Sequence, residues 1–267
     1  MRTAPPAART PMLRRVSLLG LWLEPLGSIL WILFLLWTVL VGVLWTTGIG
    51  EVQLDAWVPN LGLRSALVLL CKLADAVWIA LAAASAYLCV ADTHGIAVAR
   101  RWALIVFVGA AAIVACSVQT TWPLGPIRYS LRFGAKLGPV PACAPLLWLI
   151  IILGSRALWM RCFRRASHIQ IALGAGICAL LTIWNLEWLA SHVRGLWSWY
   201  APGSNQPITA PLRNYVTWFI GATVLAALLR EPTVAGEKPG HSDKLIAVLV
   251  LMNTVFLAAR IAGLLHK

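Results

Sequence analysis

Nine carboxylates serve the whole of this 267-residue chain. One of them, Glu187, falls near the end of an apolar run, Ile169 to Leu189, beside Trp184, Trp188 and His192. A carboxylic acid in apolar surroundings has its pKa raised, stays protonated near neutral pH and can hand its proton to a substrate. An acid inside a membrane is costly and therefore a functional candidate by default. The bland alternative is that Glu187 reaches the interface, where it faces water or pairs with Arg194. Asp75 lies one helical turn from Lys72, the spacing of a structural ion pair. Asp92 and His94 read as a solvated turn, Arg128 as a helix cap or headgroup contact, and His192 and Trp197 as interfacial anchors.

Other chemistries find little support. Cys71, Cys89, Cys116, Cys143, Cys162 and Cys178 are scattered, with no C-x-x-C and no His at zinc-ligand spacing, and read as small packing residues. There is no H-E-x-x-H, no G-x-x-x-x-G-K and no G-x-G-x-x-G, so neither a metal nor another cofactor is expected. The last apolar run, Leu245 to Leu265, has no internal Lys to form a retinal Schiff base. A net charge of +13 would suggest nucleic acid in a soluble protein. Here the cations lie between apolar runs, so the lipid bilayer with its anionic headgroups is the expected partner and nucleic acid is not.

The elements that must position Glu187 follow from composition. A chain 60% hydrophobic and only 12% charged, with a mean hydropathy of +0.81, has more apolar surface than one water-soluble core can bury. Its fifteen Trp suit headgroup belts or apolar pockets. Seven apolar segments appear: Leu26 to Thr46, Ala66 to Val90, Trp102 to Val118, Pro145 to Met160, Ile169 to Leu189, Leu212 to Leu229 and Leu245 to Leu265. In lipid such runs close their own backbone hydrogen bonds as helices. The fold expected is thus an all-α, polytopic bundle of about seven transmembrane helices. The second segment, with Lys72 and Asp75, and the short third and fourth are the least regular. The first is too long for a signal-peptide core and reads as an uncleaved helix. Residues 1–13 read as a disordered basic tail, residues 14–267 as one membrane domain, and the stretch from Arg230 to Lys244 as a solvated linker. With the N-terminus inside, twelve Lys and Arg flank the cytoplasmic side and seven the other, which favours an inner-membrane protein with a cytoplasmic N-terminus.

Two connections differ from ordinary loops. The first runs Trp122-Pro-Leu-Gly-Pro-Ile-Arg-Tyr129, continues through Gly134, Lys136 and Gly138, and closes on Val140-Pro-Ala-Cys-Ala-Pro145-Leu-Leu-Trp148. It is too apolar for a floppy aqueous loop and too rich in Pro and Gly for a regular helix. The second runs from Trp197-Ser-Trp-Tyr200 through Pro207 to Pro211-Leu-Arg-Asn214-Tyr-Val-Thr-Trp218-Phe219. Non-helical backbone at membrane depth survives only where protein buries it or it lines a cavity. Seven spans put both connections on one face.

These blocks resemble the CruF-like carotenoid 1,2-hydratase family of carotenoid biosynthesis proteins. The first family signature, Pro-Phe-Gly-x-Tyr-x-Tyr, then Leu-Gly-Pro-Lys-Leu, then Val-Pro-x-x-x-Pro-Leu-x-Trp, is matched at Pro123, Gly125, Tyr129, Gly134, Lys136, Leu137, Val140, Pro141, Pro145, Leu146 and Trp148. The second, Trp-x-Trp followed by Gly-Val-Pro-Leu-x-Asn-x-x-x-Trp-Phe, is similar to Trp197, Trp199, Pro211, Leu212, Asn214, Trp218 and Phe219. The chain departs from the pattern at Leu124 and Ile127, where the family has aromatics, and at Leu131, where it tends to have Asp. It has no acid between Val114 and Gln119, and the family's Trp-Asp is Trp184-Asn185.

The resemblance implies addition of water across the terminal 1,2 double bond of an acyclic carotenoid, a lyase reaction without a cofactor. Such chemistry needs a proton donor, shielding for a tertiary carbocation and one admitted water. Glu187 is the expected acid, with Asn214 positioning water or end group and Tyr129 as a further catalytic group. Trp122, Pro123, Gly125, Arg128 and Trp148 are expected to contact substrate from the first half of the motif region. Trp184, Asn185, His192, Trp197 and Trp218 are expected to do so from the second. Other carotenoid biosynthesis enzymes are possible partners. The competing readings are a carotenoid-binding protein without catalysis and a small-molecule transporter, although no inverted repeat supports the latter.

Overall fold

Where no water is present to bond the backbone, apolar runs must satisfy themselves as helices. The computed structural model, which describes residues 18–47, 58–201, 203–230 and 242–265, has seven α-helices among those residues. They are α1 (Leu18–Thr47), α2 (Leu61–His94), α3 (Ile96–Thr120), α4 (Cys143–Cys162), α5 (His168–Trp188), α6 (Leu212–Leu228) and α7 (Asp243–Leu265). Six are long and apolar enough to cross a membrane, and α6, at 17 residues, sits at the short limit. The chain is an all-α, multi-pass membrane bundle. The N-terminal tail and most of the linker after Arg230 lie outside the described residues.

Local signals set the boundaries. Asn60 accepts a hydrogen bond from the Leu63 backbone N–H and starts α2. Ser167 and Gln170 exchange side-chain and backbone bonds in a capping box at the start of α5. Gly95 alone separates α2 from α3, at a φ of +87° that favours glycine. At 34 residues, α2 is about 51 Å long, well beyond a bilayer core of roughly 30 Å.

Helix α4, one of the least regular segments by sequence, is the central helix. It packs against α2, α3, α5, α6 and α7 and is buried nearly all round. A helix enclosed by protein rather than lipid shows no amphipathic stripe. Its Arg156, 3% exposed, donates to the Ala226 carbonyl at 2.9 Å and lies 5.2 Å from the Trp102 ring. Ala226 is in the last turn of α6. Nearby, a His168 ring nitrogen pairs with the Ala227 carbonyl, and Arg101 and Trp102 donate to the Arg230 carbonyl. Cationic and N–H donors therefore meet the unpaired carbonyls at the end of the shortest helix.

The other end of the bundle carries both motif connections. Each contributes strands to one small sheet: β1 (Ile127–Tyr129) pairs antiparallel with β4 (Trp197–Tyr200), which pairs with β5 (Pro207–Ile208). A hairpin of β2 (Lys136–Leu137) and β3 (Val140–Pro141) leads into α4. The non-helical character expected of the connections is thus a sheet, and the shared face is a hydrogen-bonded register.

Asp75 corrects one expectation. Its ion-pair partner is Arg194, 119 positions away, and not the Lys72 one turn before it. Arg194 Nη2 and Nε approach Asp75 Oδ2 at 2.9 and 3.1 Å, and Trp45 Nε1 donates to Oδ1 at 2.7 Å. Trp45 in turn packs with Trp78 and Phe256, joining α1, α2 and α7. Both charges are largely buried, so removing one partner strands the other. Arg194→Ala is expected to cost about 3–5 kcal/mol in unfolding experiments in detergent, whereas Asp75→Leu combined with Arg194→Leu should cost clearly less. A single variant as stable as the wild type would show that the pair is not coupled to the fold.

Candidate functional site

A strand projects alternate residues to one face, which explains the Trp-x-Trp motif. In β4, Trp197 and Trp199 are buried while Ser198 and Tyr200 are partly exposed. Both indole N–H groups point at Glu187, 4% exposed near the end of α5. Trp197 Nε1 donates to Oε1 at 3.0 Å, and Trp199 Nε1 donates to the same oxygen. Asn214, in the first turn of α6 and 2% exposed, donates from Nδ2 to Oε2 at 3.2 Å.

The backbone between acid and strand is shaped for this. Helix α5 continues into a π-turn over Leu189–Val193, and the Leu196 N–H returns to the Ala190 carbonyl at 2.7 Å. Such turns recur at functional sites. Arg194 then ties the corner to Asp75. The acid is therefore separate from Arg194, and it does not open to the interface.

An indole N–H is a donor only. With two of them on Oε1, that oxygen acts as an acceptor, and a proton on the acid resides on Oε2. Asn214 can serve either state, because exchanging its amide O and N turns a donor into an acceptor.

Around the acid lies a small cavity with about 20 Å³ of space for water centres, room for about one water molecule. Its walls include Tyr129, Phe133, Trp148, Trp197, Trp199 and Trp218. Trp148 and Trp218 stack at 3.9 Å between centroids, and Tyr129 stacks on Phe133 at 5.7 Å. Burial, and secondarily the neighbouring Glu187 charge, push the Tyr129 phenol upward from its usual range, so it stays a neutral hydroxyl. Leu124 and Ile127 also line this cavity, with Leu147 and Ile183.

Of the residues proposed from sequence, Glu187, Asn214, Tyr129, Trp148, Trp197 and Trp218 are brought together here. Pro123 and Gly125 stand behind them. The Pro123 carbonyl accepts from Thr217 at 3.0 Å. Gly125 adopts a φ of +130°, and a Cβ there would lie 2.6 Å from Pro211 and 3.0 Å from Trp199, so it joins the two motif blocks by close contact. Arg128 faces away, over the Tyr200 ring at 4.4 Å and bonded to Asn205 at 3.0 Å. Trp122 is 66% exposed. Trp184 is 56% exposed and packs on Arg260, because the inward stripe of α5 is Ile183, Leu186 and Glu187. Asn185 is half-buried off the cavity, and His192 is exposed and stacked on Trp188. Trp199, absent from the sequence-based site, was findable by its two-residue spacing from Trp197. Phe133 and Ile183 carried no such signal.

Residues 73–266 match the model of a family described as carotenoid biosynthesis protein. No curated protein and no solved structure matches the chain.

Replacing Trp199 by Phe keeps a ring in the cavity wall and removes one donor from a buried carboxyl. The expected cost is about 1–3 kcal/mol of stability, measured by thermal unfolding in detergent, with a larger loss when Trp197→Phe is added. An unchanged transition in the double variant would refute the role given to these N–H groups.

Proposed function

Since the chain belongs to the carotenoid biosynthesis protein family, we propose that it hydrates the terminal 1,2 double bond of an acyclic carotenoid end group. The observation that carries this reading is a single carboxyl, one oxygen held by two indoles, in an aromatic cavity that has room for one water and must widen to admit the end group.

The proposed reaction balances without a redox partner. Glu187 Oε2 gives its proton to C2 of the terminal alkene, the π pair forms the new C–H bond, and positive charge develops at the tertiary C1. The faces of Trp148 and Trp218 offer the negative side of their quadrupoles to that cation. Water oxygen then bonds C1, and the surplus proton returns to Oε2. Asn214 donates to the carboxylate in one state and accepts from the acid in the other. The remaining walls exclude further water, which would compete for the cation from unwanted directions.

For topology, we propose that the motif end faces away from the cytoplasm of an inner membrane, with the N-terminus inside, as the distribution of Lys and Arg favours. Reporter fusions after Tyr129 and after Ser204 should both read non-cytoplasmic, and a cytoplasmic signal from either would reverse the orientation.

One observation favours a second reading. The same three hydrogen bonds also suit a structural carboxylate in a carotenoid-binding protein that performs no chemistry. Expression in cells accumulating lycopene or another open-ended carotenoid separates the two, since the hydratase yields a more polar pigment heavier by one water. Glu187→Gln keeps an acceptor for the indoles and lacks the acidic proton. It should lower hydration by about 10²-fold or more while the purified protein retains pigment. Normal turnover by the Gln variant would eliminate Glu187 as the acid.

A further inference from the structure

The acid cavity shares a wall with a second, much larger space. At the motif end an open vestibule of about 680 Å³ is lined by Ser117, Thr121, Lys136, Tyr200, Ser204 and Asn205, among others. Hydroxyl, amide and ammonium groups of this kind hold water. Among the described residues, only Ile127 and Tyr129 line both spaces. They are two residues apart on β1, hence on one face of the strand. Elsewhere the acid cavity is closed mainly by aromatic and aliphatic side chains, Leu124, Phe133, Leu147, Trp148, Ile183 and Trp218 among them. A water molecule crossing that wall would leave every hydrogen bond behind, at a cost of several kcal/mol. At the shared wall one of the two side chains, that of Tyr129, carries a hydroxyl.

Resting on the hydratase reading above, we propose that the vestibule is the water supply of the Glu187 cavity and that Tyr129 is the positioning residue that passes water across the Ile127–Tyr129 wall. The proton that leaves Glu187 returns to it within each cycle, so the reaction consumes water alone and the route has no net proton to carry. The apolar end group then has no use for the polar vestibule and reaches the site by another side. Water and carotenoid arrive by different paths, which keeps the carbocation from meeting more than the admitted molecule.

The separation is testable because blocking the vestibule should stop chemistry and spare pigment binding. Ser204 is replaced by Cys, and the purified protein, loaded with an open-ended carotenoid, is assayed before and after reaction with a bulky maleimide. The wild-type chain with its six native cysteines is treated in parallel. The expected result is a fall in hydration of about tenfold or more, specific to the Ser204→Cys protein, with bound carotenoid unchanged. Tyr129→Phe should lower kcat by about tenfold, the loss of one positioning hydrogen bond, with KM for the carotenoid unchanged. Unchanged hydration after confirmed labelling would overturn the route. Loss of bound carotenoid on labelling would also overturn it, by making the vestibule the substrate's entrance. A rise in KM without a fall in kcat in Tyr129→Phe would contradict the positioning role. Absence of hydrated product from unlabelled wild-type protein would instead remove the hydratase reading on which the proposal rests.

Discussion

A carboxyl group enclosed by protein and lipid must draw its hydrogen bonds from the chain itself, and Glu187 takes three, from β4 and from α6. Those bonds join the end of one helix, the first turn of another and a strand from the intervening connection. Because β4 is also the middle strand of the small sheet, β1 and β5 inherit their positions from it. The motif end is organised around one acid.

A second buried acid secures the same corner from outside. Asp75 in α2 holds Arg194, the residue that follows the π-turn, while Trp45 in α1 donates to the other carboxylate oxygen. The path from Glu187 to Trp197 is closed by the hydrogen bond between them and held in between at Arg194. At the far end of the bundle, buried Arg156 and exposed His168 meet carbonyls in the last turn of α6 that lack helical partners. Asp75 and Arg156 are buried with polar partners, as groups taken out of water require.

This economy bears on chemistry. Two indoles occupy Oε1, so in the proposed reaction the proton of the acid would sit on Oε2, beside the Asn214 amide. Leu124 and Ile127 contribute aliphatic surface to the cavity wall itself. They keep the wall apolar beside the rings of Tyr129, Phe133, Trp148, Trp197, Trp199 and Trp218.

Number, order and approximate extent of the helices were legible in the sequence, because a bilayer demands apolar runs of a set length and a helix satisfies its backbone from within. The burial of Glu187 among partners was legible for a related reason: an acid in such a run is costly unless its oxygens are hydrogen-bonded. The centrality of α4 was not, since a short apolar segment reads alike whether lipid or protein surrounds it. Nor could sequence pair Asp75 with Arg194, because only neighbours a turn away, such as Lys72, are visible without the fold. Trp184 and His192 lie close to Glu187 in the chain yet outside its cavity, while Trp197, Trp199 and Asn214 reach it across a π-turn and a strand. Residue type and spacing determined which groups had to be buried. Tertiary structure alone decided which of them meet, because burial obliges a polar group to find a partner without specifying where in the chain that partner lies.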